Sequence, residues 1–240
     1  MTEKIRALLP DIQNLSIFSD CGFKLIGGTA LSYHLDHRLS EDLDFCTLDM
    51  LPREAIDEFI EYCIDKLGEE NIDLIPFVQG KLVDFETHCE DISDYEQNWM
   101  IKGVKVTFFN GSDAKGIRDV FRDDKNSYIG NIEVASVDSI FKLKSLMFYS
   151  RAKARDYFDL LYLYDHDSSK FNIENTIALI HEYELAYRNF DLFFQKIEYP
   201  NYNKDFDEPL YGLVDMPKDF FELNKIFKEL LLEFKANSTL

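Results

Sequence analysis

A pair of glycines between two apolar segments constrains this chain more than any other feature of its sequence. Gly27 and Gly28 follow the apolar segment 23–26 and precede a second apolar run, Ala30 to Leu35. This arrangement predicts a short buried strand that ends in a tight turn and continues as a helix. The first N–H groups of such a helix, together with the Thr29 hydroxyl, then face outward as an anion site suited to phosphate.

Two acidic residues follow a dozen positions later, in the segment Ser40-Glu41-Asp42-Leu43-Asp44-Phe45. Asp42 and Asp44 are two positions apart, so on a β-strand their carboxylates point to the same side. Two carboxylates on one face repel each other unless a cation lies between them, and Mg²⁺ ions are the usual cations in such sites. A phosphate site beside metal-binding carboxylates indicates the chemistry of nucleotidyl transfer.

The composition limits the classes of protein to consider. The chain has 240 residues, 46% of them hydrophobic, and a formal net charge of −19. Such a surface repels duplex nucleic acid over most of its area, so contact with RNA requires a local basic patch. The four cysteines form no CxxC pair, which favours reduced thiols in a cytoplasmic protein. We expect no membrane association, because the sequence lacks both a long apolar run and a signal-peptide layout.

The hydrophobic patterns divide the chain into two halves. Strands predominate in the first half and helices in the second, which predicts an α+β fold. A mixed sheet with flanking helices is expected over 1–135, and a C-terminal helical bundle over 136–240. The predicted strands are 23–26, 43–46, 72–78, 81–87 and 104–109, and the predicted helices begin near 52, 137, 153, 173 and 217. The aromatic-rich segment 189–212 has no assignment.

A second segment carries an unusual concentration of positive charge. We call it the basic island, and its residues are Lys142, Lys144, Arg151, Lys153 and Arg155. Lys144 and Arg151 are seven positions apart, so they share a face if the helix is unbroken. A solvated helix face with local ion pairs would also explain these residues. Cations gathered in one place on a strongly negative chain favour a triphosphate pocket.

Taken together, these segments resemble the AbiEii/AbiGii family of nucleotidyltransferase toxins, within the DNA polymerase β-like nucleotidyltransferase superfamily. The resemblance depends on Gly27–Leu31, on Arg38–Phe45, and on Lys144 followed by the run from Arg151 to Asp159. It extends from about Phe23 to Leu163.

The resemblance implies a nucleotidyltransferase-like domain and a helical domain that completes the nucleotide site. It implies that Asp42 and Asp44 hold the metal, and that these two residues, Lys144 and Asp156 are catalytic. The residues implied to bind the nucleotide are Gly27, Gly28, Thr29, Ser40, Lys144, Arg151, Lys153 and Arg155.

The activity implied by the resemblance is transfer of a nucleoside monophosphate from a nucleoside triphosphate to a hydroxyl acceptor. The expected cofactor is Mg²⁺ or Mn²⁺, and tRNA is one candidate acceptor. The family also implies the toxin of a toxin–antitoxin pair, with a cognate antitoxin as protein partner, in the cytoplasm.

One position departs from the superfamily pattern. The superfamily usually places a third carboxylate on a strand beside the acidic strand, and the best candidate strand carries Thr107 there. Asp84 or Glu86, on the preceding extended segment, are alternative oxygen ligands. This departure leaves a nucleotide-binding module without transfer activity as an alternative. An interaction protein whose acidic surface binds a basic partner is a further alternative.

Overall fold

The structure of the chain is a computed structural model. It describes residues 1–88, 90–111, 115–122, 124–125, 127–148, 150–204, 207–208, 210–215 and 218–238. The side chains of Asp84, Glu86, Lys115 and Ser238 lie outside this description. The chain divides into two compact units, Met1–Ser136 and Val137–Leu240. The functional roles predicted for the two halves stay predictions.

The first unit is built on a mixed β-sheet. Its described strands are β1 Lys24–Ile26, β2 Asp42–Thr47, β3 Ile72–Leu74, β4 Glu96–Ile101, β5 Val104–Asn110, β6 Ser127–Ile129 and β7 Ile132–Val134. Its described helices are α1 Glu3–Ile12, α2 Ile17–Asp20, α3 Gly27–Leu35, α4 Arg53–Leu67, α5 Gln79–Thr87 and α6 Lys115–Arg122. These strands form one seven-stranded sheet in the order β3-β4-β5-β2-β1-β7-β6. Strand β2 is antiparallel to β1 and parallel to β5, which confirms the predicted mixed sheet with flanking helices.

One face of this sheet carries an aromatic core. Phe45 of β2 and Phe108 of β5 are paired in register, and their ring centroids are 5.5 Å apart. Phe59 of α4 meets the Phe108 ring edge-on at 5.4 Å, and Phe18 of α2 lies 4.7 Å from the Phe45 ring. Helices α2 and α4 therefore cover this face of the sheet. Aromatic rings in such tilted and edge-on pairs stabilise a core beyond the contribution of their buried area.

The opposite face of the same central strands is polar. Side chains alternate along a strand, so Asp42 and Asp44 point away from the core that holds Leu43 and Phe45. The parallel register places Thr107 of β5 beside Asp44. This face is where the acidic residues of the candidate site are gathered.

The second unit is helical. Its described helices are α7 Val137–Phe148, α8 Ala154–His166, α9 Ile173–Tyr183, α10 Phe190–Glu198 and α11 Phe220–Ser238. Phe148, Tyr157 and Phe227 form a buried aromatic cluster with ring centroids 4.4–5.0 Å apart. The predicted helical C-terminal half is confirmed.

Two predicted strands of the first unit are wrong or too long. Residues 81–87 lie in helix α5 instead of a strand, and the strand predicted over 72–78 is confined to β3. The helix is held by tertiary contacts, in which Lys81 pairs with Glu96 at 2.6 Å and Phe85 packs on Tyr95. Lys81 and Phe85 are one helical turn apart, so these contacts select the helix over the strand.

The basic island does not lie on a single helix. Helix α7 ends at Phe148 and helix α8 begins at Ala154, so the unbroken helix considered for Lys144 and Arg151 is wrong.

The segment 189–212, which the sequence left unassigned, contains helix α10. The side chains that hold α10 in place come from distant parts of the sequence.

The described cysteines form no disulfide. Cys21, Cys46 and Cys63 are free thiols, and Cys89 lies outside the described residues. Burial raises the pKa of Cys46 and of Cys63 to about 12, so both stay protonated at neutral pH.

Among the described helices, none is both long and apolar enough to cross a membrane.

Replacing Phe108 with alanine should destabilise the first unit by about 3–5 kcal/mol, because its ring fills the centre of the aromatic core. Trp99 is the single tryptophan of the chain and lies in β4, so its fluorescence during chemical denaturation reports on this unit. Tyr128→Ala is the control, because Tyr128 is 59% exposed, and it should change stability by less than about 0.5 kcal/mol. Equal effects of the two substitutions would contradict this assignment of the core.

Candidate active site

The site begins where strand β1 turns into helix α3. Ile26 ends the strand in an extended conformation, and Gly27 opens the helix with a φ of +73°. A residue with a Cβ is strained in this left-handed region, so glycine is favoured at position 27. The turn aims the first N–H groups of α3, which have no acceptor within the helix, away from the helix body.

The carboxylate of Asp44 lies directly over this turn. Asp44 pairs with Ile26 in the antiparallel β1–β2 register, and its Oδ2 atom is 2.9 Å from the place where a Cβ on Gly27 would stand. Real Cβ contacts are not this short, so a side chain at position 27 would displace the carboxylate. The Gly27 bend and the carboxylate of Asp44 therefore lie next to each other at the candidate site.

The second glycine makes room for a different charge. A Cβ on Gly28 would collide with Nη2 of Arg38, and it would stand 3.1 Å from the hydroxyl oxygen of Ser40. Arg38 is buried, with 6% of its surface exposed, and its Nη1 donates to the carbonyl oxygen of Leu39 at 3.0 Å. A guanidinium is thus packed against the first turn of α3.

The Thr29 hydroxyl is used inside the protein, so its predicted outward orientation is wrong. Thr29 is buried, and its Oγ1 hydrogen-bonds with Ser40 Oγ at 2.8 Å and donates to the backbone carbonyl of Asp42. These bonds tie the start of α3 to the segment that leads into β2. Thr29 and Ser40 therefore position the acidic strand beside the glycine bend, and their predicted contact with the nucleotide stays a prediction.

The two carboxylates of β2 are the residues that fit a divalent cation. Asp42 and Asp44 are both half-buried and share the polar face of the sheet. No group of three or more His, Cys, Asp or Glu residues suited to a metal ion occurs in the described part of the chain. Mg²⁺ is commonly held by one or two carboxylates together with substrate phosphates and water. The pair therefore fits a cation that is completed by the triphosphate.

The position beside Asp44 is occupied by a neutral side chain. Thr107 is in register with Asp44, and its hydroxyl donates to Oδ1 of Asn98 at 2.9 Å. Both residues are buried. Asp84 and Glu86, the alternatives for a third carboxylate, lie in helix α5 instead of an extended segment, and their side chains are outside the description.

Three cations of the basic island are held by carboxylates of the second unit. Nζ of Lys144 is 2.6 Å from Asp156 and 2.7 Å from Asp159, and Nε of Arg151 is 2.6 Å from the other oxygen of Asp156. Arg155 pairs with Glu208 at 2.9 Å. Much of the positive charge expected for a triphosphate pocket is thus balanced within this unit.

Asp156 is the centre of this buried network. Burial raises the pKa of its carboxyl, but Lys144 and then Arg151 outweigh this effect and hold the pKa below its ordinary value. Asp156 stays ionised and fixes the Lys144 ammonium. The catalytic roles of Lys144 and Asp156, and the nucleotide contacts of Arg151, Lys153 and Arg155, stay predictions.

Two residues of these clusters, Arg38 and Asp159, are not among the predicted site residues. Both lie within the segments that carry the family resemblance. A glycine that needs no special backbone conformation, such as Gly28, indicates that another group occupies the space of its Cβ. Nothing in the sequence identifies that group, because it comes from ten residues further along the chain.

A mixed sheet that bears two carboxylates beside a glycine bend, with a helical unit after it, defines a nucleotidyltransferase fold. The chain belongs to the family described as nucleotidyl transferase AbiEii toxin of type IV toxin–antitoxin systems, which matches residues 15–223. The predicted resemblance is therefore confirmed. An uncharacterised protein of Aquifex aeolicus (strain VF5) is similar over nearly the whole chain, with 26% identity over 234 residues, covering 97% of this chain and 96% of that protein.

A solved structure shows the same fold. MenT4, a nucleotidyltransferase toxin from Mycobacterium tuberculosis H37Rv, superposes with a TM-score of 0.50 at 14% identity, covering 96% of this chain and 84% of that chain. JHP933 from Helicobacter pylori has a TM-score of 0.49 at 18% identity, covering 100% of this chain and 97% of that chain. At these identities the comparison with MenT4 supports the fold alone.

Replacing Asp156 with asparagine should destabilise the second unit by about 3–5 kcal/mol, because it leaves buried cations short of a negative charge. The depressed pKa of Asp156 stabilises the folded state fully above the unfolded-state pKa of about 3.9, and this contribution disappears as the pH falls through the folded-state pKa. The difference in unfolding free energy between the wild type and Asp156→Asn should therefore shrink below about pH 4.

Denaturation followed by far-ultraviolet circular dichroism at several pH values measures this difference. Asp165→Asn is the control, since Asp165 is exposed on the same helix, and it should follow the wild-type profile. A difference for Asp156→Asn that grows on acidification would refute the stabilising ion-pair network.

Proposed function

We propose that this protein transfers a nucleoside monophosphate from a nucleoside triphosphate to a hydroxyl acceptor such as tRNA, with Mg²⁺ or Mn²⁺ as cofactor. The observation that supports this most strongly is the contact between Asp44 and the Gly27 turn. It brings a metal-binding carboxylate and the anion-binding end of helix α3 to one place on the sheet. A triphosphate that carries a divalent cation needs a metal-binding carboxylate and an anion-binding helix end close to each other.

The residues of the first unit have different roles in the proposed nucleotidyl transfer. The first N–H groups of α3 bind phosphate oxygens, because they are unsatisfied within the helix and carry the positive end of its dipole. Asp42 and Asp44 hold the cation, which neutralises charge on the triphosphate when it is bound. Thr29 and Ser40 keep the carboxylates and the turn in a fixed relative position, so catalysis depends mostly on positioning and electrostatics.

The reaction follows from this arrangement. The acceptor hydroxyl attacks the α-phosphorus and a phosphodiester bond forms. The bond between the α-phosphorus and the oxygen that bridges it to the β-phosphorus breaks, and pyrophosphate leaves with that electron pair. The hydroxyl proton is lost to the solvent. We propose that Lys144, Arg151, Lys153 and Arg155 of the helical unit add phosphate contacts and that Asp156 fixes Lys144, as the hydrogen bonds of Asp156 to Lys144 and Arg151 support.

The family description supports the biological setting of this proposal. It places related proteins among the toxins of type IV toxin–antitoxin systems. We therefore propose that this chain is the toxin of such a pair, that a cognate antitoxin counteracts it, and that it acts in the cytoplasm.

A second function is favoured by Thr107. A hydroxyl bonded to Asn98 stands in the register position beside Asp44 where a third carboxylate would help hold the metal. A site with this substitution binds the triphosphate and transfers slowly or not at all. In that case the protein acts as a nucleotide-binding module through a protein partner.

Asp42→Asn and Asp44→Asn should each lower transfer by at least about 100-fold, because each removes a ligand of the cation that neutralises the triphosphate. The assay incubates the protein with labelled nucleoside triphosphates, Mg²⁺ and total RNA, and measures label on the acceptor. Asp73→Asn is the matched control, since Asp73 is an exposed aspartate on strand β3 of the same sheet, and it should transfer like the wild type.

Full transfer by the variant with both substitutions would rule out the proposed reaction. Saturable triphosphate binding by the wild type, with no labelled acceptor among RNA, protein or small molecules, would instead establish the binding module.

A further inference from the structure

Lys105 stands beside the acidic residues of the candidate site. The parallel pairing of β2 with β5 places Lys105 in register with Asp42, and Thr107 in register with Asp44. Residues paired in register on neighbouring strands point to the same face of a sheet, so Lys105 shares the polar face with both carboxylates. Neighbouring strands are about 5 Å apart, which brings the Lys105 side chain within reach of a ligand held by the two carboxylates.

Lys105 forms no ion pair with the residues that the structure describes. Its side chain is nevertheless half-buried. Lys81, which is also half-buried in this unit, shows the usual arrangement, since it pairs with Glu96 at 2.6 Å. Partial burial removes hydration from the Lys105 ammonium group, and no described carboxylate compensates for that loss through an ion pair. An anionic ligand at this place would compensate for it.

Strand β2 lies between two sides of the site. On one side is β1, whose end at Ile26 leads into the Gly27 turn, and on the other side is β5 with Lys105. Under the proposed function, the Gly27 turn binds the phosphates that leave as pyrophosphate. During displacement at phosphorus, the attacking and leaving oxygens are roughly in line. The acceptor therefore approaches the carboxylates from the β5 side, where Lys105 lies.

We propose that Lys105 is a substrate-binding residue that contacts a phosphate group of the acceptor, next to the reacting hydroxyl. This inference rests on the proposed function and names the class of acceptor, a molecule in which a ribose hydroxyl lies near a phosphate. The end of an RNA strand and a free nucleotide both have this chemistry, whereas a protein hydroxyl lacks it. The formal net charge of the chain is −19, so a cation at this point offsets the repulsion of such an anion.

The test uses the full chain with its donor site filled by Mg²⁺ and a non-hydrolysable nucleoside triphosphate. Two acceptor probes are titrated, a single-stranded RNA decamer and adenosine monophosphate. Lys105→Met should weaken RNA binding about fivefold or more, because it removes a charge-assisted contact with phosphate. It should also reduce the slope of log affinity against log salt concentration by about 0.7, the contribution of one phosphate contact on a single strand.

Binding of the donor distinguishes this role from a contact with the triphosphate. Calorimetric titration with the non-hydrolysable triphosphate and Mg²⁺ should give affinities within about twofold for the wild type and Lys105→Met. Lys66→Met is the matched control, because Lys66 is an exposed lysine on helix α4 of the same unit, and it should bind every probe like the wild type. Lys105→Arg keeps the charge and should keep the wild-type salt dependence. Lys105→Gln, which also lacks the charge, replaces Lys105→Met if that variant does not fold.

A loss of RNA affinity in Lys105→Met supports an RNA strand as the acceptor, and a loss confined to adenosine monophosphate supports a free nucleotide. Unchanged affinity and salt dependence for both probes would overturn the proposal. A matching loss of triphosphate affinity would also overturn it, because Lys105 would then bind the donor.

Two results would overturn this inference and leave the proposed function intact. One is that the wild type binds triphosphate but neither acceptor probe, and the other is that label is transferred only to protein or to neutral small molecules. If the wild type does not bind triphosphate with Mg²⁺, the proposed function fails together with this inference.

Discussion

The candidate site depends on the absence of two side chains at the junction of β1 and α3. At Gly27 the missing Cβ leaves room for the Asp44 carboxylate, and at Gly28 it leaves room for the Arg38 guanidinium. Only Gly27 needs glycine for its backbone, with a φ of +73°. Close approach of two opposite charges to one helix end is therefore the physical reason for a double glycine, and the buried Thr29 hydroxyl locks the acidic strand against it.

Local patterns in the sequence predicted the parts of the fold that depend on neighbouring residues. The spacing of Asp42 and Asp44 predicted a shared strand face, and the glycine pair predicted a strand-to-helix turn. The sequence did not predict helix α5, because its stability comes from contacts such as the Lys81–Glu96 pair with a strand further along the chain. It also did not indicate that Arg38 fills the space above Gly28, since no periodic pattern connects these positions.

The positive charge of the basic island is not sufficient to predict a phosphate site. The sequence counts the cations between 142 and 155, but it does not reveal which carboxylates face them. In the folded unit, Lys144 is buried between Asp156 and Asp159. An ammonium with two carboxylate partners is fixed in place and largely neutralised, so its charge contributes less to attracting a polyanion than an exposed lysine would. A network of this kind fixes the orientation of Lys144, which is the role proposed for Asp156.

The measurement that tests the glycine-bend account most directly is Mn²⁺ affinity in two alanine variants, followed by electron paramagnetic resonance. Gly22 and Gly27 both have positive φ values, +62° and +73°, but a Cβ on Gly22 meets nothing within 4 Å. Both substitutions cost about 1–2 kcal/mol of backbone strain. Gly27→Ala should also displace the Asp44 carboxylate and weaken Mn²⁺ binding about tenfold or more, while Gly22→Ala binds like the wild type. Unchanged Mn²⁺ affinity in folded Gly27→Ala would contradict the account.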